Sequence, residues 1–221
     1  MKDRRRVAVV IVAASVALGI AFASPAWARS DKQVARASTL RISDFPAGWT
    51  ASPATEGSPS KLPPCRATVA AAKKAKPYRA TSPDFGLSNG GTPTSQVANM
   101  VYVFPSVKQA KAYLAAFKLP TALECLQQSL DQKLESSPGA SASIQGLDVT
   151  GGPVDDEVGF QGVISGPETA QAGVTDTYVQ ALAFRVGRAV TAFSTTNPGA
   201  AYPDTAQLVR TEVARLKKNL R

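Results

Sequence analysis

Residues 175–196 constrain the fold more than any other stretch of the chain. Segments 175–186 and 188–196 both read as strands, and only Gly187 separates them. A gap that short leaves a β-hairpin as the connection. In the first segment Tyr178, Leu182, Phe184 and Val186 alternate along one face, with Val179, Ala181 and Ala183 on the other. A strand apolar on both faces needs cover on both sides. The same holds for 96–104. There Val97, Val101 and Val103 share one face, Ala98, Met100, Tyr102 and Phe104 share the other, and Asn99 is the polar exception.

Helical periodicity supplies the cover. Pro105-Ser106 opens a helix in which Val107, Ala110, Leu114 and Phe117 recur at helical spacing, stopped by Pro120. A second helix over 121–135 carries Leu123, Leu126, Leu130 and Leu134 on one stripe. Strands are expected at 143–150 and 158–165. A last helix follows Pro203-Asp204, with Val209, Val213, Leu216 and Leu220 as its buried stripe and a basic final turn. Upstream we expect a helical turn at 39–44, an extended start at 48–50, a proline-rich loop at 52–64, a helix at 66–76, and a loop or irregular edge at 82–94. This order predicts an α+β fold: a mainly antiparallel, twisted sheet of about five to seven strands with helices packed on it. We expect one domain over 39–221, preceded by a flexible polar segment at 29–38.

The N-terminus reads as an export leader. Lys2, Arg4, Arg5 and Arg6 precede an apolar run of 17 residues, Val7 to Ala23, and the small-x-small triplet Ala26-Trp27-Ala28 follows. Signal peptidase accepts small side chains at those two positions, so cleavage is expected between Ala28 and Arg29. The apolar run is short of the ~20 residues that span a bilayer. No cysteine follows it to carry a lipid, so a released, extracytoplasmic protein with no stable membrane span is expected. Removing four basic groups and one acid lowers the formal charge from +9 to +6. A positive protein approaches anionic surfaces more readily. The basic residues are scattered, the densest groups being Lys73, Lys74, Lys76 and Arg79, and Arg215, Lys217, Lys218 and Arg221. Without aromatic interleaving they do not point to nucleic acid.

The sequence contains no histidine, which removes the commonest general base and most zinc sites. Its two cysteines, Cys65 and Cys125, are expected to be oxidised to one another in an exported chain. The acidic run Asp155-Asp156-Glu157 lacks the alternating spacing of a Ca²⁺ loop and reads as a solvated turn. Glu56, Asp84, Glu124, Asp148, Glu168 and Asp176 are available for carboxylate hydrolysis, but nothing in their spacing selects a pair. Ser58-Pro59-Ser60-Lys61 is a chance match to a Ser-Lys dyad in a loop. No catalytic, metal or cofactor residues are therefore expected.

The order of features resembles the PknH-like extracellular domains of actinobacterial receptor kinases and of exported proteins. The matching residues open with Leu40, Asp44-Phe45-Pro46-Ala47-Gly48-Trp49 and Cys65. Val101-Tyr102-Val103-Phe104, Ala112-Tyr113-Leu114, Cys125 and Asp156-Glu157-Val158-Gly159 follow, then Arg185 through Val190 and the last helix. Family members often carry a second cysteine pair, which this chain lacks. The resemblance implies a sheet with helices and a groove that acts as a sensor or ligand-binding site. We expect a non-catalytic domain that binds a small molecule, lipid or cell-envelope component. A protein–protein interaction module with another exported protein is the alternative, and a carboxylate-dependent envelope hydrolase the third. With no kinase domain or membrane helix ahead of it, such a domain is expected to carry no signal across a membrane by itself.

Overall fold

The computed structural model describes residues 28–55, 65–66, 70, 76–89, 92–135, 137–148, 153–166 and 176–221. Their strands are β1 (Trp49–Ser52), β2 (Tyr78–Thr81), β3 (Asp84–Asn89), β4 (Thr92–Val103), β5 (Ser141–Gly146), β6 (Asp156–Ser165), β7 (Asp176–Val186) and β8 (Ala189–Pro198). They form one antiparallel sheet in the order β1-β3-β4-β8-β7-β6-β5, with β2 beside β3 along the same edge of β4. Helices α1 (Ala28–Ser38), α2 (Val107–Phe117), α3 (Pro120–Leu134) and α4 (Thr205–Asn219) pack on the sheet, and a one-turn 3-10 helix (Ile42–Asp44) precedes β1. The fold is α+β, as expected.

The hairpin is real, and its turn explains its glycine. Val186 pairs with Ala189, so Gly187 and Arg188 form a two-residue turn. Gly187 has φ +57°, the left-handed value that primed hairpin turns require and that glycine adopts without penalty.

Strand alternation divides the core. On one face Val101, Val103, Leu182, Phe184 and Phe193 pack against Val209, Val213 and Leu216 of α4 and Ala35 of α1. On the other, Met100, Tyr102 and Ala183 meet Ala110, Tyr113 and Leu114 of α2. Farther along that second face, Phe160 meets Ala122 and Leu126 of α3. Each large side chain buried this way stabilises the fold by roughly 1.5–3 kcal/mol. The capping agrees with the sequence. Ser106 Oγ accepts from the Gln109 amide at 3.2 Å to start α2, and Pro120 occupies the first turn of α3.

Two expectations need correction. Residues 29–38 are not a flexible lead-in. They lie within α1, where Ala35 and Ser38 are fully buried and Asp31 pairs with Arg188 at 2.7 Å. Arg188 also donates to the Phe104 carbonyl at 2.9 Å. The polar sequence hid a helix that needs only small side chains to approach the sheet. Residues 82–94 are not an irregular edge either: they supply β3 and the start of β4. Backbone pairing carries β3, and only Phe85 is driven deep into the core. Strand β2 was not foreseen at all, and the strand expected at 143–150 starts and ends earlier, as β5.

The leader read over 1–28 lies outside the described residues except for Ala28, where α1 begins. The expected cleavage position Ala28–Arg29 therefore falls at the first turn of that helix. The helix expected at 66–76 is described only at 65, 66, 70 and 76, with the first three helical. No helix among the described residues is long and apolar enough to cross a membrane.

The run from Leu40 to Trp49 packs between α4 and the sheet edge. Leu40, Phe45, Phe85, Val97, Tyr202 and Leu208 form one cluster, with Trp49 stacked at 4.7 Å from Phe45. Asp44 accepts from the Arg41 amide at 2.7 Å and is gripped by both terminal nitrogens of Arg215, at 2.6 and 2.5 Å.

Candidate functional site

The acidic run does not build a site. Asp155 accepts from Arg185 at 2.9 Å and from the Gly187 amide at 2.7 Å. Asp156 takes Lys118, and Glu157 points to the opposite face of β6 by strand alternation. Burial pushes the Glu157 carboxyl up, with Lys118 opposing. The expected solvated turn is thus the ion-paired start of a strand. No cluster of three His, Cys, Asp or Glu suited to a metal occurs among the described residues.

The other acids stay apart. Asp84 begins β3 and Asp176 begins β7, with β4 and β8 between those strands. Asp84 accepts from the Thr55 amide, and Asp176 from the Ser165 hydroxyl. Asp148 follows β5 at the far edge, and Glu124 is exposed on α3. Glu56, Glu168 and Ser58 to Lys61 lie outside the described residues, as do Lys73 and Lys74. Arg215 leaves its basic cluster to pair with Asp44.

The chain does bring together a groove, on the face covered by α2 and α3. Its floor follows from register. Ala98 of β4, Ser194 of β8 and Ala181 of β7 are neighbours in one row across three strands. Met100, Ala192, Ala183 and Val158 form the next row. Five of those seven side chains are Ala or Ser, too short to fill the space under a helix. Bulky residues hold the helices off: Tyr102, Tyr113 and Phe117 on one side, Leu126 and Phe160 on the other. A groove of about 570 Å³, counting the part open to solvent, remains between them.

Its chemistry is apolar with a small polar end. Among the described residues, Tyr102 and Tyr113 are the only ionisable side chains in the lining. Burial raises both phenols well out of the range where they would exchange protons near neutrality. Their rings lie 5.2 Å apart, and Tyr113 packs on Phe117 at the same separation. The Tyr102 hydroxyl donates to the Met100 sulfur at 3.5 Å.

The disulfide lies beside this groove. Cys65 and Cys125 are joined, with their Cα atoms 4.7 Å apart. Cys125 immediately precedes the lining residue Leu126, so the crosslink anchors α3 where it borders the groove.

A group that sequence reasoning missed sits on the opposite face. Glu212 is fully buried among the α4 residues that face the sheet. Its Oε2 is 2.9 Å from Thr191 Oγ1, and its Oε1 has no partner. Burial pushes its carboxyl up to about 8, against the hydrogen bond with Thr191 and the charge of Arg215. The signal was present: Val209, Glu212, Val213 and Leu216 share one helical stripe.

No protein-family model matches the chain, and no curated protein matches its sequence. Among solved structures, the chain is similar to the extracellular domain of PknH from Mycobacterium tuberculosis. The two share 15% identity with a TM-score of 0.46, over 85% of this chain and 96% of that one. It is also similar to an uncharacterised protein from Mycobacterium smegmatis, at 13% identity and a TM-score of 0.37, with the same shares covered.

Proposed function

We propose that the protein is an exported, non-catalytic binding domain that holds a small apolar molecule, or the apolar end of an amphiphile, between the sheet and helices α2 and α3. The groove's floor of small residues carries this reading. A sheet face with nothing to do but pack would be filled by larger side chains, since interiors close to near-crystalline density. The disulfide supports an oxidising, extracytoplasmic location. A lining whose only ionisable groups among the described residues are two buried tyrosines offers little for acid–base chemistry and much for binding.

Native mass spectrometry of the oxidised protein, after incubation with an organic extract of bacterial cell envelope, tests the proposal. A retained small mass is expected. Ala192→Leu fills the centre of the floor, between Met100 and Ala183, and should abolish retention while the circular dichroism spectrum stays native. A protein that retains nothing from the extract would rule the reading out, as would undiminished retention by Ala192→Leu.

A further inference from the structure

One groove tyrosine, Tyr102, has a poor hydrogen-bond partner. The Tyr113 ring packs 5.2 Å from that of Tyr102, and the Tyr102 hydroxyl donates to the thioether of Met100. Both rings are 2% exposed, so water does not supply a better partner. A thioether is a weak acceptor, while an oxygen would accept the same proton at about 2.7 Å. Met100 is also the most adaptable residue of the lining, because an unbranched side chain can swing aside at little cost. All three residues line the groove.

We infer that the groove selects neutral apolar molecules carrying one hydrogen-bond acceptor, a ketone, ester or ether oxygen, which replaces the Met100 sulfur as the partner of the Tyr102 hydroxyl. This rests on the groove being a binding site. An anionic ligand fits less well. A nearby cation, Arg79, lies on β2 opposite Tyr102 and is engaged with Thr81 at 3.3 Å. The desolvation that raises both phenols would oppose a carboxylate at the same place.

Three probes of one size separate the possibilities: acetophenone, α-methylstyrene, which has CH₂ in place of the oxygen, and benzoate. Each is titrated into the oxidised protein, and the methyl NMR signals of Ala98, Met100 and Ala192 are followed. In the double variant Tyr102→Phe/Tyr113→Phe, both rings stay and both donors go. Acetophenone should weaken about fivefold there, the effect of one net hydrogen bond. α-Methylstyrene should bind the variant at least as well as the wild type, and benzoate should bind the wild type more weakly than acetophenone does. An acetophenone affinity unchanged by the double variant would overturn the inference while leaving the groove a binding site. So would benzoate binding tightest of the three. If no probe moves the groove methyls, the groove reading falls with it.

Discussion

Raising the pH from about 5 to about 9 should lower the melting temperature of this protein by about 10 °C more than it lowers that of Glu212→Gln. The cause is a carboxyl that the fold holds in its protonated form. Hydrogen-bond counting points the same way as burial. Thr191 Oγ1 has one proton and three partners: Asn99 Nδ2 at 3.0 Å, Glu212 Oε2 at 2.9 Å and the Met100 carbonyl at 3.2 Å. Asn99 Nδ2 donates, and its Oδ1 accepts the Leu40 amide at 3.1 Å. If Glu212 is protonated it also donates to Thr191, and the Thr191 proton is left for the Met100 carbonyl. Every member is then satisfied except Glu212 Oε1. An ionised Glu212 would take the Thr191 proton, leave the Met100 carbonyl without it, and place a charge in the core with one oxygen unpartnered. The groups facing it do not remove that cost, because Arg215, the nearby cation, is already paired with Asp44.

The sign follows from where each state loses its proton. The unfolded chain releases it near 4.5, and the native state holds it to about 8. Between those values the native state binds the extra proton, so stability falls as pH rises through the window and levels off above it. The full difference is roughly 5 kcal/mol at the top of the window. Glutamine keeps the shape and a donor toward Thr191 but cannot ionise. Thermal unfolding of both proteins across the range measures the effect. Parallel curves would show that Glu212 is ionised in the native state.

Breaking the Cys65–Cys125 bond should cost about 4 kcal/mol in urea unfolding, by the loss of a closed loop spanning a separation of 60 residues. Cys65→Ala/Cys125→Ala and the reduced wild type should agree in stability. Both cysteines are buried, so the alanine pair loses little packing beyond the bond itself. The bond also anchors α3 next to Leu126, so loss of ligand retention should accompany loss of the crosslink under conditions where the protein remains folded. A variant within about 1 kcal/mol of the oxidised wild type would show that the loop is already restrained by its own packing.

Much of the fold was legible in local pattern. The double-sided alternation at 96–104 and 175–186 required a sheet covered on both faces, and α2, α3 and α4 supply that cover. Proline and serine marked where α2 and α3 begin. What misled was composition. Polar and small residues at 29–38 and 82–94 looked unfit for regular structure. Yet α1 docks through Ala35 and Ser38, and β3 is held by the backbone ladder with one deep anchor, Phe85. Local pattern registers side-chain hydrophobicity, and these elements depend on it least.

By itself, the sequence determined the hairpin through Gly187, the apolar faces of the central strands, the buried stripe of α4 and the pairing of the only two cysteines. These follow from chain geometry, periodicity and the count of available partners, all of which are local or exhaustive. Only the tertiary structure decided that Ala98, Ala181, Ala183, Ala192 and Ser194 lie side by side, because strand register brings together residues from three separate segments. The hollow they leave exists only once α2 and α3 are held above them by Tyr102, Tyr113, Phe117, Leu126 and Phe160. The same is true of Glu212. Its place on an apolar stripe was visible in the chain, but its protonation depends on Thr191, Asn99 and an already paired Arg215, three groups that the sheet and helices assemble around it.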